Sequence, residues 1–559
     1  MPTESNSSST SATGTRPIRK VLIANRGEIA VRILRTLKDM GIRSAVVYSD
    51  ADRLGLPVLL ADEAYPIGPA PSAQSYLRAD AIVQLALEIG ADAIHPGYGF
   101  LSENAGFATR CREAGVIFIG PPPSAIAAMG SKVESRRLMI DAGVPVVPGG
   151  RDPLPDVESA LAFAETLGYP VMVKAAAGGG GKGMRVVESA EQLPTAFRTA
   201  RSEAKASFGD DDVYLEKFIV EPRHVEIQVL GDEHGNLVSL GERECSLQRR
   251  HQKVVEEAPS PVVEPELRQR MGEAAVQAAR AVGYTNAGTV EFLLDVSGEF
   301  YFLEVNTRLQ VEHPITELVT GLDLVEAQVR VARGEELPAE ARDAQIRGHA
   351  LELRLYAEDP FRGFVPSPGL IEGLRWPEGP GVRVDAGVYE GSEVSIHYDP
   401  MLAKLIFYGT DRAQALRRAR RGLLEMKVEG IRTTIPLFLA LLEDEDFLTG
   451  QMDISMLDRK LASGELHPSE EEDSDSTSDE AEGSDEAEAA GQDAAEQEAA
   501  AQDLRQPTLE EALRDAPLIA AALAHVEATE RGSAAAPASG GRRDAWRQSA
   551  RLANLQGVR

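Results

Sequence analysis

The chain reads as a multidomain protein of mixed class, α/β at its N-terminus and α+β beyond, and three observations lead there. Short apolar runs alternate with helical patterns near the start, a four-glycine cluster opens a segment of apolar and polar alternation, and after residue 350 the strands shorten between Pro and Gly turns. With 559 residues and about 150 per domain as a prior, three or so domains are expected.

In order, residues 20–25 form an apolar strand, Gly27 opens a helical pattern through Met40, and residues 44–48 form a second strand, which is βαβ grammar. A helix over 81–89 leads to 92–95 and Pro96-Gly97-Tyr98-Gly99, and 116–119 adds a strand before Gly120-Pro121-Pro122-Pro123. An open, mostly parallel, Rossmann-like sheet is therefore expected over roughly the first 125 residues. The glycines at 178–181, followed by 213–220 and the alternation of 224–230, predict a mobile flap leading into a larger mixed sheet. From 350 to about 461 a separate α+β lobe is expected, with helices near 413–426 and 436–443.

Residues 467–503 lose their core-forming side chains and are expected to be a disordered acidic linker, because they cannot bury enough apolar surface to offset ordering entropy. The stretch 504–559 has helical composition and is expected to be a helical tail and candidate docking element; residues 1–16 are expected to be a flexible leader.

The formal net charge of −30, with 14 acidic and no basic residues between 470 and 498, argues against a nucleic-acid binder, whose affinity rests on Lys and Arg meeting phosphates. Two cysteines, Cys111 and Cys245, make neither a disulfide framework nor a multi-cysteine zinc site, and a cytoplasmic setting is expected. No apolar run approaches the ~18 to 20 residues of a membrane helix, and the Ser- and Thr-rich start lacks the apolar core of a secretory signal.

Three constellations carry chemistry. Lys174-Ala-Ala-Ala-Gly178-Gly-Gly-Gly181-Lys182-Gly183-Met184 lets backbone amides approach a phosphate chain beside a lysine, although a glycine run serves equally as a hinge. Glu291-Phe-Leu-Leu and Glu304-Val-Asn306-Thr-Arg308-Leu-Gln310-Val-Glu312-His313 alternate apolar with polar residues. On adjacent strands Glu291, Glu304, Asn306, Arg308 and Gln310 would then share a face, as oxygen ligands for Mg²⁺ or as a plain surface strand. Gln248-Arg249-Arg250-His251-Gln252-Lys253-Val-Val-Glu256-Glu257 is either a solvated charge run or the fixed positive charge that a reaction between ATP and a small anion requires.

Taken together, these motifs resemble the biotin carboxylases of the ATP-grasp superfamily from Ile18 to about Lys460. The resemblance rests on Ile23-Ala-Asn-Arg-Gly-Glu28, His95-Pro-Gly-Tyr-Gly-Phe-Leu-Ser-Glu-Asn104, Met129-Gly-Ser-Lys132 and the glycine loop. It continues through Tyr214-Leu-Glu216-Lys217, Pro222-Arg-His224-Val-Glu-Ile-Gln228, Arg249-Arg-His251-Gln-Lys253, Asn306 to Pro314, and Arg354 ahead of Ala357-Glu-Asp-Pro360. Ala177, Lys182 and Pro400 depart from the usual pattern without removing a charge.

The resemblance implies an N-terminal domain over 17–130, an ATP-grasp domain over 131–335 with a lid at about 147–218, and a C-terminal domain over 347–461. It implies ATP contacts from Lys132, Lys174, Gly180, Gly181, Glu216, Lys217, Phe218, Ile219, His224, Gln248, His251, Glu291 and Glu304. Mg²⁺, or Mn²⁺ in its place, would be held by Glu291, Glu304 and Asn306, and bicarbonate by Lys253, Arg308, Gln310, Val311 and Glu312, with Glu312 as the base. Arg354 would meet biotin.

No carrier signature is found, since Glu425-Met426-Lys427-Val428 lacks the second Met, and no segment is large enough for a carboxyltransferase. A biotin carboxyl carrier protein and carboxyltransferase subunits are therefore expected as partners in trans, and a homodimer by family resemblance. The rival readings are another bicarbonate-activating ATP-grasp ligase and an inactive scaffold subunit; biotin-stimulated and metal-dependent ATP turnover separates them.

Overall fold

Strands Lys20–Ile23 (β1), Arg43–Ser49 (β2), Glu63–Gly68 (β3), Ala93–His95 (β4) and Ile117–Phe118 (β5) form a parallel sheet in the order β3-β2-β1-β4-β5. The order reverses between β1 and β4, so a crevice opens beyond their C-terminal ends, where Asn25 and the Pro96-Gly97-Tyr98 turn lie. The Asn25 amide closes that turn by donating to the carbonyls of Pro96 and Tyr98, both at 2.7 Å. Sequence patterning found β1, β2 and β5, left 92–95 unassigned before the glycine turn, and missed β3, whose Pro66 weakens the strand signal; β3 is an edge strand, where a missing N–H costs little.

The computed structural model describes residues 15–150, 153–175, 184–208 and 211–466, all within one compact unit. The expectations for residues 1–14, for the 467–559 linker and tail, for Gly180 and Gly181, and for the Lys132 side chain lie outside what is described.

Val171–Ala175 (β6), Met184–Val187 (β7) and Val213–Lys217 (β8) form a small antiparallel sheet in the order β7-β6-β8. With helices Val157–Leu167 and Leu193–Phe208 it encloses its own apolar cluster, including Val171, Val173, Phe197 and Leu215.

The largest sheet has eight strands. Arg223–Gly231 (β9), Leu237–Arg249 (β10), Gln252–Ala258 (β11), Asn286–Leu294 (β12), Phe300–Asn306 (β13) and His349–Tyr356 (β14) run in the order β13-β12-β9-β10-β11-β14. Strands Met401–Gly409 and Val382–Ala386 complete it at the β14 edge. The lobe expected from residue 350 onward thus shares a continuous sheet with the centre, through pairing of Val255–Ala258 with Ala350–Leu353. Its helices, Arg412–Glu425 and Ile435–Leu441, match the sequence periodicity and pack on Leu405, Phe407 and Leu353. Among the described residues, no helix is long and apolar enough to cross a membrane.

Candidate active site

Alternation along the strands gives the large sheet two unlike faces. Val225, Ile227, Val229, Val290, Phe292 and Val305 are buried in one cluster with Met271, Ala275 and Ala278 of helix Pro265–Ala281. The opposite face carries His224, Glu226, Gln228, Thr289 and Glu291, all buried. Along one rung, Glu304, Glu291, Glu226 and Arg243 stand on four neighbouring strands, each the register partner of the next. Facing carboxylates repel, so this row needs cations.

Two bulges shape the row. Leu247 pairs with Val255 but Gln248 pairs with Lys253, so Val254 is extra, and Lys253 is turned onto the face of Glu256 instead of that of Val255. Likewise Glu291 pairs with Glu304 but Phe292 with Phe302, so Leu303 is extra and Glu304 leaves the apolar face that holds Phe302.

Lys253 is the hub. Its ammonium donates to Glu226 Oε2 at 2.6 Å, Glu312 Oε1 at 2.6 Å and Glu291 Oε1 at 3.1 Å. Arg354 donates from Nη2 to Glu312 Oε2 at 3.0 Å and from Nε to Glu256 Oε1 at 2.6 Å. Arg243, wholly buried, donates to Glu226 at 2.5 Å, Gln228 at 2.7 Å and the hydroxyls of Thr316 and Thr289 at 2.9 and 3.0 Å. His224 lies 3.0 Å from Glu291 Oε2 and its Nδ1 meets the Gln248 amide at 3.0 Å.

Protonation follows from these contacts. Burial alone would raise the Glu312 carboxyl, but Lys253, Arg354 and Arg243 outweigh it and hold the group well below the usual range. Burial is likewise overcome at Lys253, where Glu226, Glu291 and Glu312 push the ammonium well above its usual value. Glu256 goes the other way: burial, assisted by Glu312 and opposed by Arg354, lifts it to about 7.

Glu312 sits at the N-terminal end of helix His313–Thr320, where Pro314 fills an early position. Its carboxylate makes no capping bond and points to the two cations instead.

The alternation of 304–310 predicts one strand carrying Arg308 and Gln310, but the strand ends at Asn306. Glu103, from the N-terminal lobe, takes the Thr307 N–H at 2.9 Å and Arg308 Nε at 2.8 Å, so the chain is drawn into a loop. Arg308 nevertheless reaches Gln310 Oε1 at 2.8 Å and Asn306 Oδ1 at 3.1 Å, and Gln310 donates to Glu291 Oε1 at 3.1 Å. Val311 contributes its carbonyl, which accepts from Lys404 Nζ at 2.9 Å.

The β10–β11 hairpin turns on Arg250 and His251, with φ of 47° and 68°, between paired Arg249 and Gln252. Such turns favour Asn-Gly, so two bulky residues hold roughly 1–3 kcal/mol of strain each, presenting His251 at an exposed tip. On the small sheet Lys174 pairs with Glu216 at 2.5 Å, with Arg136 3.6 Å from the other oxygen. Lys217 turns back to the carbonyls of Gly168 and Tyr169, at 2.9 and 3.2 Å, and Phe218 and Ile219 are half-buried beyond it.

Glu291 and Glu304, side by side, are a donor set that fits a hard divalent cation. Asn306 donates its Nδ2 to Glu291 at 2.8 Å, and its Oδ1 accepts from Arg308 at 3.1 Å.

Patterning did not single out Arg243, Glu226, Glu103, Glu256 or Lys404 as site residues. The signal available for Lys404 is a lone charge in the apolar run Met401-Leu-Ala-Lys404-Leu-Ile-Phe. Arg243 lies between two glutamates and gives no such contrast.

Three family models match the chain: the biotin carboxylase N-terminal domain at 17–126, the carbamoyl-phosphate synthase L chain ATP binding domain at 131–340, and the biotin carboxylase C-terminal domain at 352–459. The chain is 52% identical over 442 residues to biotin carboxylase 1 of Bacillus subtilis, covering 79% of this chain and 98% of that protein. It is 49% identical over 465 residues to the propionyl-CoA carboxylase alpha chain of Ruegeria pomeroyi, covering 80% and 68%. Among solved structures, the biotin carboxylase domain dimer of Hydrogenobacter thermophilus 2-oxoglutarate carboxylase, in complex with MgADP, ADP and bicarbonate, matches with a TM-score of 0.74 at 46% identity, covering 80% and 98%. With relatives of this identity and coverage, and a carboxylate cluster held by Lys253, Arg243 and Arg354, the chain belongs to the biotin carboxylase family of ATP-grasp enzymes.

Proposed function

We propose that this chain uses ATP and bicarbonate to carboxylate biotin carried on a separate carrier protein, through carboxyphosphate, as the first half-reaction of a biotin-dependent carboxylase. One observation carries the reading: Glu312 is held by Lys253 on one oxygen and by Arg354 on the other. A single base thus stands between the cation suited to bicarbonate and the cation suited to biotin.

A carboxylate clamped by two cations is a weak base. Bicarbonate bound against Lys253, Arg308, Gln310 and the Val311 backbone takes a share of the Lys253 charge, which raises the basicity of Glu312 as its substrate arrives. Glu312 takes the bicarbonate proton, the freed oxygen attacks the γ-phosphorus, and the bond to ADP breaks. Lys253 and Arg308 meet the charge that accumulates on the transferring group. Carboxyphosphate divides into CO₂ and phosphate, phosphate takes the ureido proton of biotin while Arg354 faces the oxygen on which negative charge gathers, and the ureido nitrogen attacks CO₂ to form carboxybiotin. Glu291, Glu304 and Asn306 would hold Mg²⁺ or Mn²⁺, which would neutralise charge on the nucleotide phosphates.

The lid residues Lys174, Gly180, Gly181 and Glu216–Ile219, with Lys132, His224, Gln248 and His251, belong to the ATP side of this reading. A carboxyltransferase partner, a homodimer and a cytoplasmic setting complete it. The test is Glu312→Gln. Bicarbonate-dependent ATP cleavage is expected to fall at least ~10²-fold, within the range for loss of a general base, while nucleotide affinity stays unchanged; strong residual turnover with free biotin would overturn the assignment.

A further inference from the structure

Lys404 is wholly buried, with none of its surface exposed. An ammonium taken out of water costs several kcal/mol unless its partners are well placed, and an apolar side chain would suit its strand better. Its three partners come from three parts of the fold. Its Nζ donates to the Val311 carbonyl at 2.9 Å, lies 3.2 Å from Glu28 Oε1 at the start of helix Gly27–Asp39, and is 3.9 Å from Asp385 on the edge strand. The Tyr98 hydroxyl donates to the same Glu28 oxygen, and its ring centroid lies 6.0 Å from the ammonium. The head of Lys404 therefore occupies the crevice where the parallel sheet reverses its strand order, and Gly387 has no room there for a Cβ, which would come 2.5 Å from the Glu28 nitrogen.

Across the sheet Lys404 is the register partner of both Arg354 and Asp385. Val311 lies between Gln310, which bonds Arg308 and Glu291, and Glu312, which bonds Lys253 and Arg354. Fixing the Val311 carbonyl thus fixes the direction in which both neighbours project.

Resting on the reading of that loop as the bicarbonate site, we propose that Lys404 is a positioning residue for bicarbonate, clamping the Val311 carbonyl against the N-terminal lobe through Glu28. Lys404 touches no reacting atom in this scheme. It sets where the loop stands, so its loss weakens bicarbonate binding more than ATP binding.

Protonation of Glu28 modulates the clamp. Burial raises its carboxyl to about 7, against the opposing pull of Lys404 and Arg32 and with the support of Asp385; the Tyr98 hydroxyl donates to it, and buried Glu352 and His313 also act on Lys404. Ionised, Glu28 holds Lys404; protonated, it releases part of that hold toward Asp385.

The experiment is bicarbonate-dependent ATP cleavage by the full chain with free biotin, comparing wild type, Lys404→Met and Glu28→Gln, with KM expressed per bicarbonate ion. Lys404→Met is expected to raise the bicarbonate KM by ~10-fold or more with less than ~2-fold change in the ATP KM, the split of a lost positioning contact. In wild type the bicarbonate KM is expected to rise as pH falls through about 7. Glu28→Gln stays at the low-pH value throughout, so the two converge in acid and diverge in base. Should Lys404→Met fail to fold, the near-isosteric Glu28→Gln decides alone. A bicarbonate KM unchanged in Lys404→Met, or a Glu28→Gln profile that follows wild type, overturns the role of Lys404. A wild type whose ATP cleavage ignores bicarbonate overturns the underlying functional reading instead.

Discussion

Glu291 and Glu304 face each other directly across adjacent antiparallel strands, and Glu226 faces Glu291 from the other side. Three carboxylates on one rung are tolerated because Lys253 and Arg243 enter the row, yet Glu304 stands at the end away from Arg243. In the proposed reading Glu291 and Glu304 would hold a divalent cation, a donor pair suited to a hard metal ion.

Glu304→Gln is therefore expected to weaken Mn²⁺ binding in the presence of nucleotide by at least ~10-fold, in line with effects of disturbing a metal site. Without metal the same change removes one facing like charge, worth up to about 1 kcal/mol, so thermal stability should not fall. Paramagnetic resonance of free Mn²⁺ and a metal-free melt read the two effects. Unchanged metal affinity would remove Glu304 from the site.

Arg243 predicts a different kind of loss. With no exposed surface and bonds to Glu226, Gln228, Thr289 and Thr316, it compensates a carboxylate that cannot reach water. Arg243→Ala leaves Glu226 short of its partner and should cost about 3–5 kcal/mol, as for a broken buried ion pair. Denaturant titration measures this.

Glu28 gives a pH dependence whose sign is fixed. Its carboxyl rises on folding from 4.5 to about 7, so the folded chain binds the proton more tightly than the unfolded one. Its contribution to stability is complete below pH 4.5 and is lost as pH rises through about 7. Glu28→Gln, neutral at every pH, should match wild type in acid and exceed it well above neutrality, by up to roughly 3 kcal/mol. Melting curves of both proteins across pH test the crossover; equal stability at all pH would contradict it.

How much of this was legible in the sequence depended on where each constraint resides. Period-two and helical patterns are local, so β1, β2 and the helices Gly27–Asp39 and Arg412–Glu425 were readable, whereas β3 was hidden by Pro66. Glu291 and Glu304 were picked out as neighbours from alternation, although their facing register depends on the extra residue Leu303. Arg308 and Gln310 were assigned to that strand because alternation continues past Asn306; the Glu103 contact that ends it comes from about two hundred residues away. Lys404 and Arg243 acquire meaning only from partners on other strands and in another lobe, which no local pattern records.

The most direct measurement is transfer of radiolabelled bicarbonate to free biotin by the purified chain with MgATP. Acid-labile labelled biotin is expected to form together with ADP, dependent on the divalent metal and lost in Glu312→Gln. Bicarbonate-dependent ATP cleavage that biotin does not stimulate, with the label instead trapped as carbamoyl phosphate when ammonia is added, would contradict it.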